Sequence, residues 1–229
     1  LNKFRKSKYS QSDIGKAYRY AESFLKDKKK VLFSGTPCQI AGLKTYLSND
    51  YDNLLTIDVA CESVPSPIFI NKYIAHCESR YGVPISDIDY RDKNNNRADW
   101  ECTTLYFKNG RKKTSTRWFS PFWSLWLKNF MSRPSCYNCN YTTKERVSDI
   151  TLADLWSLYL YDDALYGGNG GTSLILCNSI RGRKIFEKAK QFMVYRELDR
   201  NLVLTKQRPL RERITRNPYR EVFMVDLKT

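Results

Sequence analysis

Hydrophobic and polar positions alternate in two registers along the chain. From Ser12 to Lys28 the apolar residues Ile14, Ala17, Tyr18, Ala21 and Leu25 fall on one side at helical spacing, which predicts an amphipathic helix. A lysine cluster then gives way to the short apolar run Val31–Phe33, a buried strand that ends at Gly35-Thr36-Pro37. Gln39 to Leu47 reads as a second helix. Leu54 to Val59 is another strand and ends at Cys61. Ser66 followed by Pro67 marks the start of a helix that runs to about Arg80, because proline fits the first helical position.

This strand–helix–strand–helix order predicts parallel strands in an α/β layer, with consecutive strands ending on the same edge. The pattern then changes. Ile85 to Arg91, Trp100 to Phe107 and Lys112 to Arg117 alternate as strands, with Asn109-Gly110 as a hairpin turn, so an antiparallel insertion is expected over about residues 85–118. Pro121 to Met131 is aromatic-rich and reads as a short buried helix. Strands follow at Ile150–Ala153 and, past the glycines at 167–171, at Ser173–Cys177; a helix over Arg181–Val194 closes the unit. The expected fold class is α/β, a mostly parallel sheet with flanking helices and an antiparallel insertion. Residues 1–200 would form the domain and 201–229 a basic tail that wraps the surface or meets a partner.

Composition narrows the class. In 229 residues, 41% are hydrophobic, enough for a core. No run of about 20 apolar residues is present, so no membrane span is expected. The charged start, without an apolar stretch or an initiator methionine, reads as the beginning of a fragment and not as a signal peptide. Seven cysteines, an odd number in a chain of this size, point to free or metal-bound thiols in a reducing cytoplasm. The net charge of +15 fits either a solvated surface or an anionic partner. Its densest run, Lys206, Arg208, Arg211, Arg213, Arg216 and Arg220, is interrupted only by Glu212.

Candidate chemistry sits in the loops. Cys38, Cys61 and the pair Cys136 and Cys139 each lie beside turn residues, and Cys38 and Cys61 both follow predicted strand ends. In open α/β sheets, ligands bind beyond the carboxyl ends of strands, so thiols delivered from three loops can surround one centre. Thr36 and Gln39 are spaced for a capping box, which would set Cys38 in the first helical turn, where the helix dipole stabilises a thiolate. The spacing of Cys136 and Cys139 lets both bind one metal. It does not follow a strand and open a helix, as a thioredoxin-like disulfide requires. Structural zinc normally takes two close cysteine pairs, and an iron–sulfur cluster accepts a freer distribution, so the two stand level on spacing alone. Cys77, Cys102 and Cys177 fall at packed positions. His76, the only histidine, sits off the core stripe, which argues against histidine-ligated zinc and serine–histidine triads. The glycines at 167–171 precede a strand, whereas a dinucleotide fingerprint follows one.

Four segments together resemble the coenzyme F420 hydrogenase/dehydrogenase beta-subunit family: Lys8–Gly15, Val31–Leu43 (VLFSGTPCQIAGL), Asp58–Pro67 (DVACESVPSP) and Ser135–Trp156 (SCYNCNYTTKERVSDITLADLW). The resemblance covers roughly residues 5–180. It implies a flavoprotein holding FAD beside a 4Fe-4S cluster, with Cys38, Cys61, Cys136 and Cys139 as ligands. Electrons would pass through the flavin to an acceptor, the deazaflavin coenzyme F420 in the named members. Lys8, Tyr9, Ser12, Thr36, Gln39 and Asp154 would lie near the flavin. Basic residues would suit the FAD pyrophosphate or an anionic tail on the acceptor, and a ferredoxin or hydrogenase subunit would be the partner. Homo-oligomerisation is compatible with this reading. The chain departs from the family where many relatives have His-Gly, here Glu62-Ser63, and where many have glycine, here Ser157. The family's upstream portion does not precede these residues, so flavin binding by them alone is expected to be incomplete. The rival readings are a non-catalytic domain with a structural four-cysteine zinc site and an anionic partner, and, ranked last, a nucleic-acid module.

Overall fold

The computed structural model describes residues 6–93, 102–161 and 171–228. Its first sheet has the strand order β1-β2-β6-β7, from Val31–Gly35, Leu54–Val59, Ile150–Asp154 and Ser173–Cys177. The first three strands are parallel and β7 is antiparallel to β6. Helices α1 (Ala17–Lys26) and α2 (Pro37–Leu47) cover one face, where Ala21, Leu25, Leu43, Leu47 and Leu54 form a core with Phe33. Their apolar spacing dictates this packing. On the opposite face Leu32, Val59 and Leu152 stay exposed.

The helix expected from Ser12 begins at Ala17. The Asp13 carboxylate accepts the Gly15 N–H at 2.9 Å, and Gly15 adopts φ +45°, so a local turn displaces the first helical turn. The closing helix, α6 (Ile180–Ala189), ends earlier than its pattern suggests and passes into a 3₁₀ turn over Lys190–Phe192.

Between β2 and β6 the chain makes an excursion that builds a second core. It contains α3 (Pro67–Tyr81), the antiparallel sheet β3-β4-β5 (Ile85–Asp89, Thr103–Phe107, Lys112–Ser115), α4 (Pro121–Leu127) and the short α5 (Pro134–Tyr137). Phe69, Tyr73, Phe122, Trp123, Trp126 and Met131 pack there, with Phe122 and Trp123 essentially sealed from solvent; truncating either aromatic to alanine costs about 3–5 kcal/mol. The excursion is wider than the insertion read from strand alternation, because α3 and α4 contribute more of its core than the strands do. The glycine-rich loop lies outside the described residues except for Gly171. Beyond α6, α7 (Arg200–Lys206) packs Val203 against Leu155 and Leu174 at the end of the main sheet, and α8 (Arg220–Lys228) lays Phe223 and Leu227 against the core of the excursion.

Candidate metal centre

Strands β1, β2 and β6 run in the same direction, so Gly35, Val59 and Asp154 end on one edge of the sheet. Cys38 stands just past the first of these ends. Pro37 opens α2, and the Gln39 side-chain oxygen accepts the Thr36 N–H at 2.9 Å, closing the helix start as a capping box. Gly35 permits this closure: a Cβ there would lie 2.9 Å from Gln39 Oε1. Cys38 is therefore in the first turn, exposed, with the Thr36 hydroxyl 3.1 Å from its sulfur.

Cys61 follows β2 directly, after the Ala60 N–H has extended the pairing to the Leu152 carbonyl at 2.8 Å. The excursion then leaves and returns along one seam. Pro65 bridges Ser132, Arg133 N–H donates to the Val64 carbonyl at 3.0 Å, and Ser66 N–H donates to the Met131 carbonyl at 2.9 Å. Cys61 lies at the exit of the seam, and Cys136 and Cys139 lie at its return. The sequence separation between them, 75 residues from Cys61 to Cys136 by their numbers, is cancelled because the two segments pair. A buried ion pair completes the closure: Arg146 Nη2 meets Asp58 Oδ2 at 2.9 Å, and the guanidinium also donates to Thr151 Oγ1 and to the carbonyls of Tyr141 and Thr143. This fixes the loop after Cys139 to the strand before Cys61.

The four thiols share one electrostatic neighbourhood. Burial pushes the Cys61 thiol up to about 12, and the charges of Cys136, Cys38 and Cys139 add to that rise. Burial also raises Cys136, against the backbone of Val64 and the charge of Arg133, while Cys139 and Cys38 push it further up. A hydrogen bond reaches Cys139 Sγ from the Tyr141 N–H at 3.4 Å. Among the described residues, no three histidine, cysteine, aspartate or glutamate side chains close to the spacing of a shell around a single metal ion. Cys77 and Cys102 are buried elsewhere in the excursion.

The remaining sequence candidates divide into three groups. Ser12, Thr36 and Gln39 come together beside Cys38, with the Gln39 amide donating to Ser12 Oγ at 3.2 Å. Tyr9 is held edge-on by Tyr90, Phe122, Trp123 and Trp126, with ring centroids 4.9–5.4 Å away, so its ring packs into the second core. Lys8 is exposed at the surface. Asp154 ends β6 and pairs with Arg91 at 2.5 Å, linking the excursion to the sheet edge.

The part played by the C-terminal basic run is missed by sequence reading. Arg208 pairs with Glu62 at 2.5 Å, next to Cys61, and Arg213 donates to Asn140 beside Cys139 at 3.2 Å. Arg220 donates to the Ser132 carbonyl at 2.9 Å and to the Tyr137 hydroxyl at 3.1 Å. The density of arginines was the available signal; their targets depend on the fold. Both departures from the family pattern acquire structural settings. Glu62 holds Arg208, Ser63 accepts from the Ser132 hydroxyl at 2.9 Å, and Ser157 has φ +60° and ψ +40°, a left-handed conformation that favours glycine.

Residues 28–199 match the family model for the C terminus of the coenzyme F420 hydrogenase/dehydrogenase beta subunit. No curated protein matches the chain. Among solved structures, a chain of the F420-reducing [NiFe] hydrogenase complex from Methanosarcina barkeri is similar at 17% identity and a TM-score of 0.49, covering 94% of this chain and 74% of that one. No helix among the described residues is long and apolar enough to cross a membrane.

Proposed function

The chain belongs to the family defined by the C terminus of the coenzyme F420 hydrogenase/dehydrogenase beta subunit, and from that membership we propose that it is an electron-relay domain whose Cys38, Cys61, Cys136 and Cys139 hold a 4Fe-4S cluster beside FAD. The observation that supports this reading is geometric: Cys38 and Cys61 follow strand ends on one sheet edge, and the pairing of residues 64–66 with 131–133 returns the segment of Cys136 and Cys139 toward Cys61. The donor set is sulfur alone, since the only histidine, His76, stands on α3, and four thiolates are the usual shell of a 4Fe-4S cluster. The Tyr141 N–H and the Thr36 hydroxyl supply the kind of donors that stabilise cluster thiolates and set their potential.

When bound, the cluster supplies one-electron chemistry and FAD converts single electrons into a pair or hydride. The protein's part is to position, shield and tune. The capping box fixes the Cys38 turn, the Asp58–Arg146 pair fixes the Cys139 loop, and Arg208 places a positive charge beside Glu62 at the Cys61 loop. Ser12, Thr36 and Gln39 form a polar ledge next to Cys38 that would hold the flavin, with Lys8 and Asp154 as further contacts and Tyr9 anchoring the segment that carries Lys8. The acceptor would be coenzyme F420 or a related hydride acceptor, and a ferredoxin or hydrogenase subunit would exchange electrons with the cluster. Anaerobic reconstitution followed by titration with FAD tests the assignment. A broad visible absorption that bleaches on reduction is expected, with FAD bound at less than one molecule per chain. A protein that takes one zinc and neither iron nor flavin would refute it.

A further inference from the structure

The aromatic residues around the start of α4 divide into two pairs. Phe122 and Trp123 are sealed in the second core, whereas Trp118 and Phe119, just before the helix, are 76% and 82% exposed. The chain holds the outer pair in a fixed turn. The Phe119 N–H donates to the Thr116 carbonyl at 3.0 Å, and Ser120 and Pro121 then start the helix at once. Two adjacent large rings presented to water on a short, anchored turn form a contact surface and not a scattered exposed residue.

The surroundings are basic. Between Glu101 and Glu145 the sequence has eight lysines and arginines and no acidic residue. Arg80, near the end of α3, and Lys113, on β5, line one cleft with Phe119, and both are exposed. The Arg117 guanidinium lies 4.7 Å from the centre of the Trp118 ring. The nearest carboxylates of the excursion are directed elsewhere. Glu78 accepts the Ile85 N–H at 2.7 Å, and Asp87 and Asp89 meet Lys6. In register, Asp87 and Asp89 stand opposite Tyr106 and Thr104, on the face of the small sheet away from Leu105 and the core. Other exposed apolar residues lack this setting: Phe192 and Val194 stand in a segment flanked by Glu187 and Glu197.

We propose that the Trp118–Phe119 turn is an interfacial anchor that seats the protein on an anionic lipid surface. The two rings enter the headgroup layer, and Arg80, Lys113 and Arg117 meet the lipid phosphates. Tryptophan favours this layer because its ring is apolar while its N–H is polar. A base-stacking platform for nucleic acid needs open ring faces, and Arg117 already lies over one face of Trp118. An apolar insert and a basic rim are two weak signals that together give reversible surface association. No membrane-spanning helix is required, and the surface acts independently of the cysteine centre.

The test is co-sedimentation of the full chain with vesicles of phosphatidylcholine and phosphatidylserine in a three-to-one ratio, in parallel with phosphatidylcholine alone. Binding should be tighter to the anionic vesicles and weaker as salt is raised, and brominated lipid should quench the tryptophan fluorescence. W118A/F119A should weaken binding about tenfold or more and reduce the quenching. R80A/K113A should also weaken it about tenfold, since each cation near the surface contributes about fivefold. All four positions are exposed, so both variants should keep the wild-type melting temperature. Absence of binding to the anionic vesicles would overturn the anchor. Wild-type affinity in W118A/F119A would reduce the association to general adsorption of a chain of charge +15 and overturn it equally. Tighter binding to a single-stranded oligonucleotide than to vesicles, lost in that same variant, would assign the turn to nucleic acid instead.

Discussion

Asp58 and Arg146 form an ion pair at 2.9 Å with both side chains sealed from solvent, 0% and 1% exposed. Asp58 is on β2, three residues before Cys61, and Arg146 lies in the loop between Cys139 and β6. One contact therefore holds the two banks of the cysteine site together. The guanidinium supplies four bonds to this end, three of them to the loop and β6.

Breaking this pair from one side leaves a charge buried without its partner. Arg146→Ala is expected to cost about 3–5 kcal/mol, measured by denaturant unfolding of the metal-free chain. Arg146→Lys should recover only part of that, because an ammonium cannot reproduce the fork that reaches Asp58, Thr151 and two carbonyls. A loss below about 1 kcal/mol would show that the loop is held by other contacts.

Ser157 offers the opposite case, a position where the chain carries strain. A non-glycine residue at φ +60° costs about 1–2 kcal/mol relative to glycine. Ser157→Gly should raise stability by about 1 kcal/mol, read as a higher melting temperature. Ser157→Ala should bring no such gain. An unchanged or lower melting temperature in the glycine variant would mean that the serine side chain offsets its own strain.

Asp149 governs an acid-sensitive part of the stability. Burial opposes its charge, but hydrogen bonds from Ser179 Oγ at 2.6 Å and from the Thr56 N–H and hydroxyl, both at 2.8 Å, together with the Arg181 charge, hold its carboxyl below the usual range. Because the folded-state pKa is depressed, this stabilisation is present above the unfolded value of about 3.9 and is lost as pH falls through the folded value. Unfolding free energy measured from about pH 6 downward should fall more steeply in the wild type than in Asp149→Asn. Parallel curves would contradict the assignment.

The C-terminal segment should behave as a clamp on the cysteine loops. Arg220, 5% exposed, reaches both Ser132 and Tyr137 on the return side of the seam. Arg220→Gln should expose the thiols of Cys136 and Cys139, so that their alkylation in the metal-free chain is accelerated at least severalfold. Unaltered alkylation rates would confine this segment to surface packing.

Much of the architecture follows from local pattern. Short apolar runs locate the strands of the main sheet, alternation locates those of the insertion, and turn chemistry at Thr36-Pro37 and Ser66-Pro67 places α2 and α3. The parallel order alone puts Cys38 and Cys61 on one edge. The pairing of residues 64–66 with 131–133, the contact that brings Cys136 and Cys139 to that edge, is not legible, because it rests on backbone hydrogen bonds between segments with no apolar alternation. The same holds for Arg146 and Arg208. A basic residue advertises its charge in a sequence, but its acidic partner is decided by tertiary closure. Tyr9 has a packing role that no local pattern announces: its ring meets four aromatic neighbours brought from the excursion by the fold.

The most direct measurement is iron and acid-labile sulfide per chain after anaerobic reconstitution, made on the wild type and on seven variants, each with one cysteine changed to serine. About four irons and four sulfides are expected in the wild type. That content should be lost in the variants of Cys38, Cys61, Cys136 and Cys139, and retained in those of Cys77, Cys102 and Cys177 that fold. Full iron in any of the first four variants, or one zinc in place of iron in the wild type, would contradict the shared cluster.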